Sequence, residues 1–269
     1  MQNKVVIITG ASSGIGKALA EEFGSRGAKL VLAARTSEKL QELTLKLNAK
    51  GVETLAVKTD VSIETDCGNL IKAAIEKFGK IDVLINNAGI SMRALFRDLD
   101  LKVIHSLMDV NFWGTVYCTK YALPYLLQSK GSVVGVISIA GYIGLPGRTG
   151  YSASKFAIRG FLDTLRVENM NSGLHVLVAA PGFTASNIRH VALTANGSLQ
   201  GETPRDEAKM MPAAVVARKI AQAVVKRKRT LILTFVEGKL AVFLSKFFPH
   251  WVDTMSYKLM AKEPDSPFK

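Results

Sequence analysis

The chain has 269 residues, 48% of them hydrophobic and 21% charged, the mix of an ordinary globular protein. That excludes a disordered chain and a collagen-like repeat, and two cysteines are too few for a disulfide framework. Lys plus Arg is 35 and Asp plus Glu is 22, a formal charge of +13, with a mean hydropathy of +0.19.

The N-terminal run MQNKVVIITG goes straight into a strand-like stretch and carries no secretory-signal pattern. No apolar run reaches the ~18 residues of a spanning helix. Cys67 and Cys118 lack CxxC spacing and read as reduced structural thiols. A cytoplasmic setting is the expectation.

Strands are predicted at residues 4–9, 29–33, 53–58, 83–86, 132–137, 175–179 and 231–235, all short runs rich in Val, Ile and Leu. Such runs suit strands covered on both faces. Helices are predicted between them at 15–26, 37–49, 63–78, 101–128, 151–170 and 213–226. Strict alternation predicts an α/β fold: a doubly wound, Rossmann-type parallel sheet of seven strands with helices on both faces.

Residues 1–237 read as one catalytic and cofactor-binding domain, interrupted by an excursion at 185–211 that suits a substrate lid. Residues 238–269 extend it. There Leu240, Phe243, Leu244, Phe247, Trp251, Met255 and Leu259 recur at helical spacing among lysines, and Pro249 is expected to kink or split the helix. This stripe is expected to pack on the body or a second subunit. Capping a substrate pocket and lying in a membrane interface are the alternatives.

Gly10, Ser12, Ser13, Gly14, Ile15 and Gly16 join the first strand to the first helix. Glycines there allow backbone to approach a phosphate, and the helix start offers free N–H groups and a positive dipole end. The acidic residue that holds an NAD ribose at the end of the second strand is absent. Arg35 stands in its place, which favours NADP over NAD.

Tyr151 and Lys155 are four apart on a predicted helix and share a face. An ammonium beside a phenol is expected to lower the tyrosine pKa and make it a usable acid or base. Ser138 ends the fifth strand, where parallel sheets bind ligands and a hydroxyl can steady a carbonyl oxygen. Asp60 after the third strand serves equally as a helix cap.

These strings together, TGxxxGxG at Thr9–Gly16, the run Asn86-Asn87-Ala88-Gly89, and Ser138 thirteen positions before the YxxxK of Tyr151 and Lys155, resemble the short-chain dehydrogenase/reductase family. The resemblance implies an oxidoreductase moving hydride between a nicotinamide and a carbonyl or alcohol. Tyr151 is then the acid/base, Ser138 holds the substrate oxygen, and Lys155 tunes Tyr151 and binds the nicotinamide ribose. Asn111 holds a water linked to Lys155. It further implies adenine contacts at Asp60 and Val61, ribose contacts at Asn87, Ala88 and Gly89, and nicotinamide contacts at Pro181, Gly182, Phe183 and Thr184.

Two departures from the family pattern stand out. Ser13 replaces the basic residue that NADP-preferring relatives often carry in the glycine turn. Thr184 and Ser186 shift the usual PGxVxT pattern. The substrate is expected to be apolar, held by Ser138, Tyr151, Ile143, Leu145, Ile188 and Met211, with Met210 beside it. Homodimers or homotetramers are implied by the family. No metal site is expected, since His105, His175, His190 and His250 lack ligand spacing. The basic run 226–229 reads as a solvated helix end and not as a nucleic-acid site. The alternative reading is a non-catalytic dinucleotide-binding scaffold or redox sensor.

Overall fold

The computed structural model describes residues 1–203, 206 and 210–268. Seven parallel strands form one sheet: β1 (Val5–Thr9), β2 (Lys29–Ala34), β3 (Thr54–Lys58), β4 (Val83–Asn86), β5 (Ser132–Val136), β6 (His175–Ala180) and β9 (Thr230–Ile232). Their order is β3-β2-β1-β4-β5-β6-β9, and all six pairings are parallel. This is the predicted doubly wound fold. Two short strands, β7 (Thr184–Ala185) and β8 (Met211–Pro212), pair with each other across the base of the excursion.

Alternation along each strand supplies two separate cores. On β1, Val6 and Ile8 face one side, where Leu19 and Phe23 of α1 (Gly14–Ser25), Leu40 of α2 (Ser37–Asn48) and Ile220 of α7 (Ala213–Val225) meet them. Val5 and Ile7 face the other, against Leu70 of α3 (Glu64–Phe78), Leu126 of α5 (Gly114–Gln128) and Leu162 of α6 (Thr149–Glu168). Successive side chains of a strand point to opposite faces, so a strand apolar at every position is buried twice. Each such side chain contributes ~1.5–3 kcal/mol by leaving water.

Close approach of α6 to β5 depends on Gly135. A Cβ there would lie 2.2 Å from Leu162 Cδ1. At the sheet's other end Asp82 is buried. Burial raises its pKa, but hydrogen bonds from Lys4, Val5 N–H and Lys80 win and hold the carboxyl below its usual range. Asp82 thereby ties the starts of β1 and β4 at the end away from the glycine turn.

Two expectations, on residues 101–128 and on the last strand, are corrected. Residues 101–128 are not one α-helix: α4 (Leu101–Leu107) runs into a π-helical turn (Met108–Trp113) and then into α5. The wide turn carries Asn111, whose side chain is drawn into hydrogen bonds with the loop after β4. The last strand ends at Ile232, because Phe235–Leu240 coils into a second π-helical turn. The extension splits into α8 (Ala241–Leu244) and α9 (Pro249–Ala261), with Pro249 as the first residue of α9, where its missing N–H costs no hydrogen bond. The excursion, where described, holds turns and single bridges of Leu193 to Met92 and Leu199. Residues 204, 205 and 207–209 of the predicted lid lie outside the described residues.

Candidate active site

The strand order reverses between β1 and β4, so the connections leaving them part in opposite directions and open a crevice at the C-terminal edge of the sheet. A cavity of about 1110 Å³ occupies it. Gly10, Ser12, Ser13, Gly14, Ile15, Gly16, Arg35, Asp60, Val61, Asn87, Ala88 and Gly89 line one end. Ser138, Tyr151, Lys155, Pro181, Gly182, Phe183 and Thr184 line its middle, and Ile143, Leu145 and Ile188 line the part beyond.

The glycine turn is built for close approach. Gly10 has φ +65°, and a Cβ on it would lie 2.9 Å from Ala88 Cα. The Thr9 hydroxyl accepts the N–H groups of Asn87 and Ala88 at 3.0 Å each. Asn87 Nδ2 donates back to Thr9 O at 2.9 Å. The turn after β1 and the loop after β4 are thus one hydrogen-bonded unit. Ser13 begins α1 without a side-chain cap, and the first turn carries no acidic residue. The N–H groups there remain available to an anion.

Arg35 is exposed at the end of β2 with no ion pair among the described residues, and Lys39 also lines the cavity. Lys39 is a second cation the sequence reading missed; it is one helical turn beyond Arg35 and outside the glycine turn where the basic residue was sought. Asp60 lines the cavity while its carboxylate accepts from Ser62 N–H at 3.0 Å and Ser62 Oγ at 2.7 Å. These residues fit a dinucleotide: uncapped N–H groups at the start of α1, a glycine turn that lets backbone approach a phosphate, and the cations Arg35 and Lys39 at the far rim.

Lys155 is buried at 3% exposure and donates to Val136 O at 3.2 Å. Burial pulls its pKa down to about 8. Gly89 leaves space in front of it, since a Cβ there would lie 3.3 Å from Lys155 Nζ. The Ser138 hydroxyl accepts from Ala140 N–H at 3.2 Å.

The expected acidification of Tyr151 is not found. Burial pushes the phenol up from its ordinary value; the Ser138 hydroxyl and the charges of Arg148 and Arg189 pull it partly back. Lys155 reaches past the ring, with Nζ 5.7 Å from its centroid, and is spent on the Val136 carbonyl. Sharing a helix face brought the two side chains together without bringing the ammonium to the hydroxyl.

Asn111 is fully buried and does not line the cavity. Its side chain accepts from Ile90 N–H at 2.8 Å and donates to Ile90 O at 3.0 Å and Ser154 Oγ at 2.9 Å. Met211 is also displaced from its expected place. It pairs with Thr184 in the small sheet and packs on the core of α1 and α7, and neither it nor Met210 lines the cavity. Ser186 stands over the glycine turn instead, its Cβ 3.2 Å from where a Gly14 Cβ would be.

Much of the far lobe escaped sequence reading. Leu240, Leu244, Trp251, Met255 and Leu259 of the extension line it. Their helical spacing was visible, but spacing does not say which surface a stripe covers. This lining fits capping of the pocket, and Val242 and Val252 clustered with Ile139 and Ile143 fit the first expectation, packing on the body. No metal-holding group of His, Cys, Asp and Glu exists among the described residues.

Lys155 gives a pH signature to the cofactor-free protein. Its folded pKa, about 8, lies below the ~10.4 of an unfolded lysine. Between those values the unfolded chain holds a proton that the folded chain has released, so stability rises with pH. Urea unfolding is expected to gain stability from pH 7.5 to 9.5, by a total on the order of 2–3 kcal/mol over the full window. Lys155→Met is expected to flatten this rise; an equal rise in that variant would contradict the assignment.

The family model for short chain dehydrogenase matches residues 4–196. Dehydrogenase/reductase SDR family member 7B of Mus musculus is 38% identical over 257 residues, covering 93% of this chain and 79% of that protein. 11-beta-hydroxysteroid dehydrogenase 1A of Arabidopsis thaliana is 40% identical over 192 residues, covering 70% of this chain and 54% of that protein. An alcohol dehydrogenase from Thermococcus sibiricus, complexed with 5-hydroxy-NADP, superposes with a TM-score of 0.76 at 25% identity, covering 86% of this chain and 96% of the other. A short chain dehydrogenase/reductase from Burkholderia phymatum, in complex with NAD, gives a TM-score of 0.78 at 27% identity, covering 86% and 88%. Matched over most of its length and carrying the crevice, glycine turn and YxxxK pair described above, the chain belongs to the short-chain dehydrogenase/reductase family of oxidoreductases.

Proposed function

We propose that the protein is an NADP-dependent reductase or dehydrogenase of an apolar carbonyl or alcohol, with Tyr151 as general acid and base. One observation carries this reading: a single cavity runs from Arg35 and the glycine turn to Ser138, Tyr151 and Lys155, and on into an apolar lobe. The chemistry that bound NADP supplies is hydride exchange with the substrate carbon.

In carbonyl reduction, Tyr151 gives its hydroxyl proton to the substrate oxygen. A phenol that burial keeps protonated is in the right state to donate. Ser138 donates a hydrogen bond to the same oxygen and steadies its growing negative charge. Lys155, with a pKa near 8, exchanges protons close to neutrality and faces the ribose side through the gap at Gly89. Asn111 acts by position: it clamps the Ile90 loop and, through Ser154, the turn of α6 that carries Tyr151. The uncapped N–H groups of α1 hold the pyrophosphate, and Arg35 with Lys39 holds the 2′-phosphate.

The apolar lobe and the hydroxysteroid dehydrogenase names among the relatives both support a bulky, steroid-like or similarly apolar substrate. We place the protein in the cytoplasm with a peripheral membrane contact. Exposed Phe235, Phe243, Phe247, Phe248 and Trp251, set among Lys239, Lys246 and Lys258, support that contact. No helix of the described residues is long and apolar enough to cross a membrane. Assembly as a homodimer or homotetramer belongs to the same reading, supported by exposed Trp113, Tyr121 and Phe156.

Tyr151→Phe is expected to lower kcat by ~10²–10⁴-fold while NADPH binding, followed by fluorescence, stays intact. Undiminished turnover would favour the scaffold reading instead. Arg35→Ala is expected to weaken NADPH binding by about tenfold or more and leave NADH within about twofold, because a guanidinium on phosphate is a charge-assisted contact. Equal affinities for the two cofactors in the unaltered protein would remove the NADP assignment. In co-sedimentation with anionic vesicles, the doubly substituted Phe247→Ser, Phe248→Ser chain is expected to stay in the supernatant while the unaltered chain pellets. Failure of the unaltered chain to pellet would discard the membrane contact.

A further inference from the structure

The chain's last residues return to the body at a buried ion cluster. Glu263, two positions past α9, is 6% exposed. Its Oε2 lies 3.5 Å from Nη2 of Arg93 and 3.7 Å from Nη2 of Arg148. Arg93 sits on the loop after β4 and also donates to the Pro264 carbonyl. Arg148 immediately precedes α6, three residues before Tyr151.

The neighbouring contacts fasten the same stretch. Ser266 is buried and donates to Met260 O at 3.0 Å. Phe268 meets Tyr257 edge-on with centroids 5.0 Å apart. Pro267 lies on the turn before α6, its Cγ 3.5 Å from where a Gly147 Cβ would be. The tail is therefore stitched to the two segments that frame Tyr151.

Arg148 and Glu263 both line the cavity, in continuity with Trp251, Met255 and Leu259. Apolar burial alone holds α9 weakly: only Val252 and Met260 are buried along its 13 residues. A buried carboxylate facing two guanidiniums ties the tail to the body, and removing it takes away the negative charge that both cations face in a poorly solvated place.

We infer that Glu263 is a positioning and specificity-determining residue: by engaging Arg93 and Arg148 it holds α9 in place as the outer wall of the substrate cavity. The inference rests on the reading of that cavity as the substrate site. A polycyclic or long-chain carbonyl compound reaches the α9 wall, and its binding depends on the latch. A small aromatic aldehyde occupies only the space near Ser138 and Tyr151 and depends on it less.

The test uses the full-length chain with NADPH, a polycyclic ketone and a small aromatic aldehyde. Glu263→Gln is expected to raise KM for the ketone by about tenfold and for the aldehyde by less than about threefold, with kcat less affected than KM. Glu263→Asp is expected to recover part of the loss. Hydrogen–deuterium exchange of residues 249–268 is expected to accelerate in Glu263→Gln, an outcome readable without turnover. Equal losses on both substrates, or unchanged exchange in α9, would overturn the inference. If Glu263→Gln does not fold, Arg93→Gln breaks the same contact from the body side and is judged by the same ratio and exchange. Tyr151→Phe in the same assay separates the two readings: if it stays active the general-acid reading has failed, whereas an inactive Tyr151→Phe with no substrate bias in Glu263→Gln defeats the latch alone.

Discussion

The reversal of strand order between β1 and β4 is the constraint on which the rest depends. Right-handed crossovers send the connection after β1 to one face and that after β4 to the other. Nothing of the sheet's own connections can then fill the gap between them. Thr9 fixes the width of that gap, since its hydroxyl takes both N–H groups of the opposing loop. Every candidate cofactor residue lines a crevice whose presence follows from topology and whose shape follows from a few hydrogen bonds.

Tyr151 and Lys155 are placed by α6, and α6 is placed by absences. Gly135 removes the side chain that would keep Leu162 off β5, and Gly89 leaves open the space before Lys155. Burial then does two things at once. It keeps the Tyr151 phenol protonated and draws Lys155 toward neutrality. Both shifts come from the same loss of water, which disfavours the charged form of each group. The π-helical turn at Met108–Trp113 belongs to this arrangement, because it carries the Asn111 that joins the Ile90 loop to Ser154 and hence to the Tyr151 carbonyl.

The far lobe is governed differently. Its walls come from the turn after β5, from the excursion and from the C-terminal extension. These segments hold their places with few buried apolar residues and with long-range polar contacts such as the Arg93, Arg148 and Glu263 cluster. A sheet with its glycine turn fixed by hydrogen bonds thus meets a wall held by few buried apolar side chains and by an ion cluster.

Alternating runs of β-branched and helical sequence determined the parallel sheet, and local strings such as Thr9–Gly16 and Tyr151 with Lys155 identified one end of the crevice, because each depends on contacts between near neighbours in the chain. Element ends were legible to within a few residues for the same reason. What side chains touch across the fold was decided only in three dimensions. Lys155 reached the Val136 carbonyl instead of the Tyr151 hydroxyl, Met211 turned to the core, Lys39 came to stand beside Arg35, and the stripe of the extension covered the cavity. Periodicity gives a helix its apolar face, whereas the partner of that face, and the water removed from a buried lysine, are properties of the assembled packing.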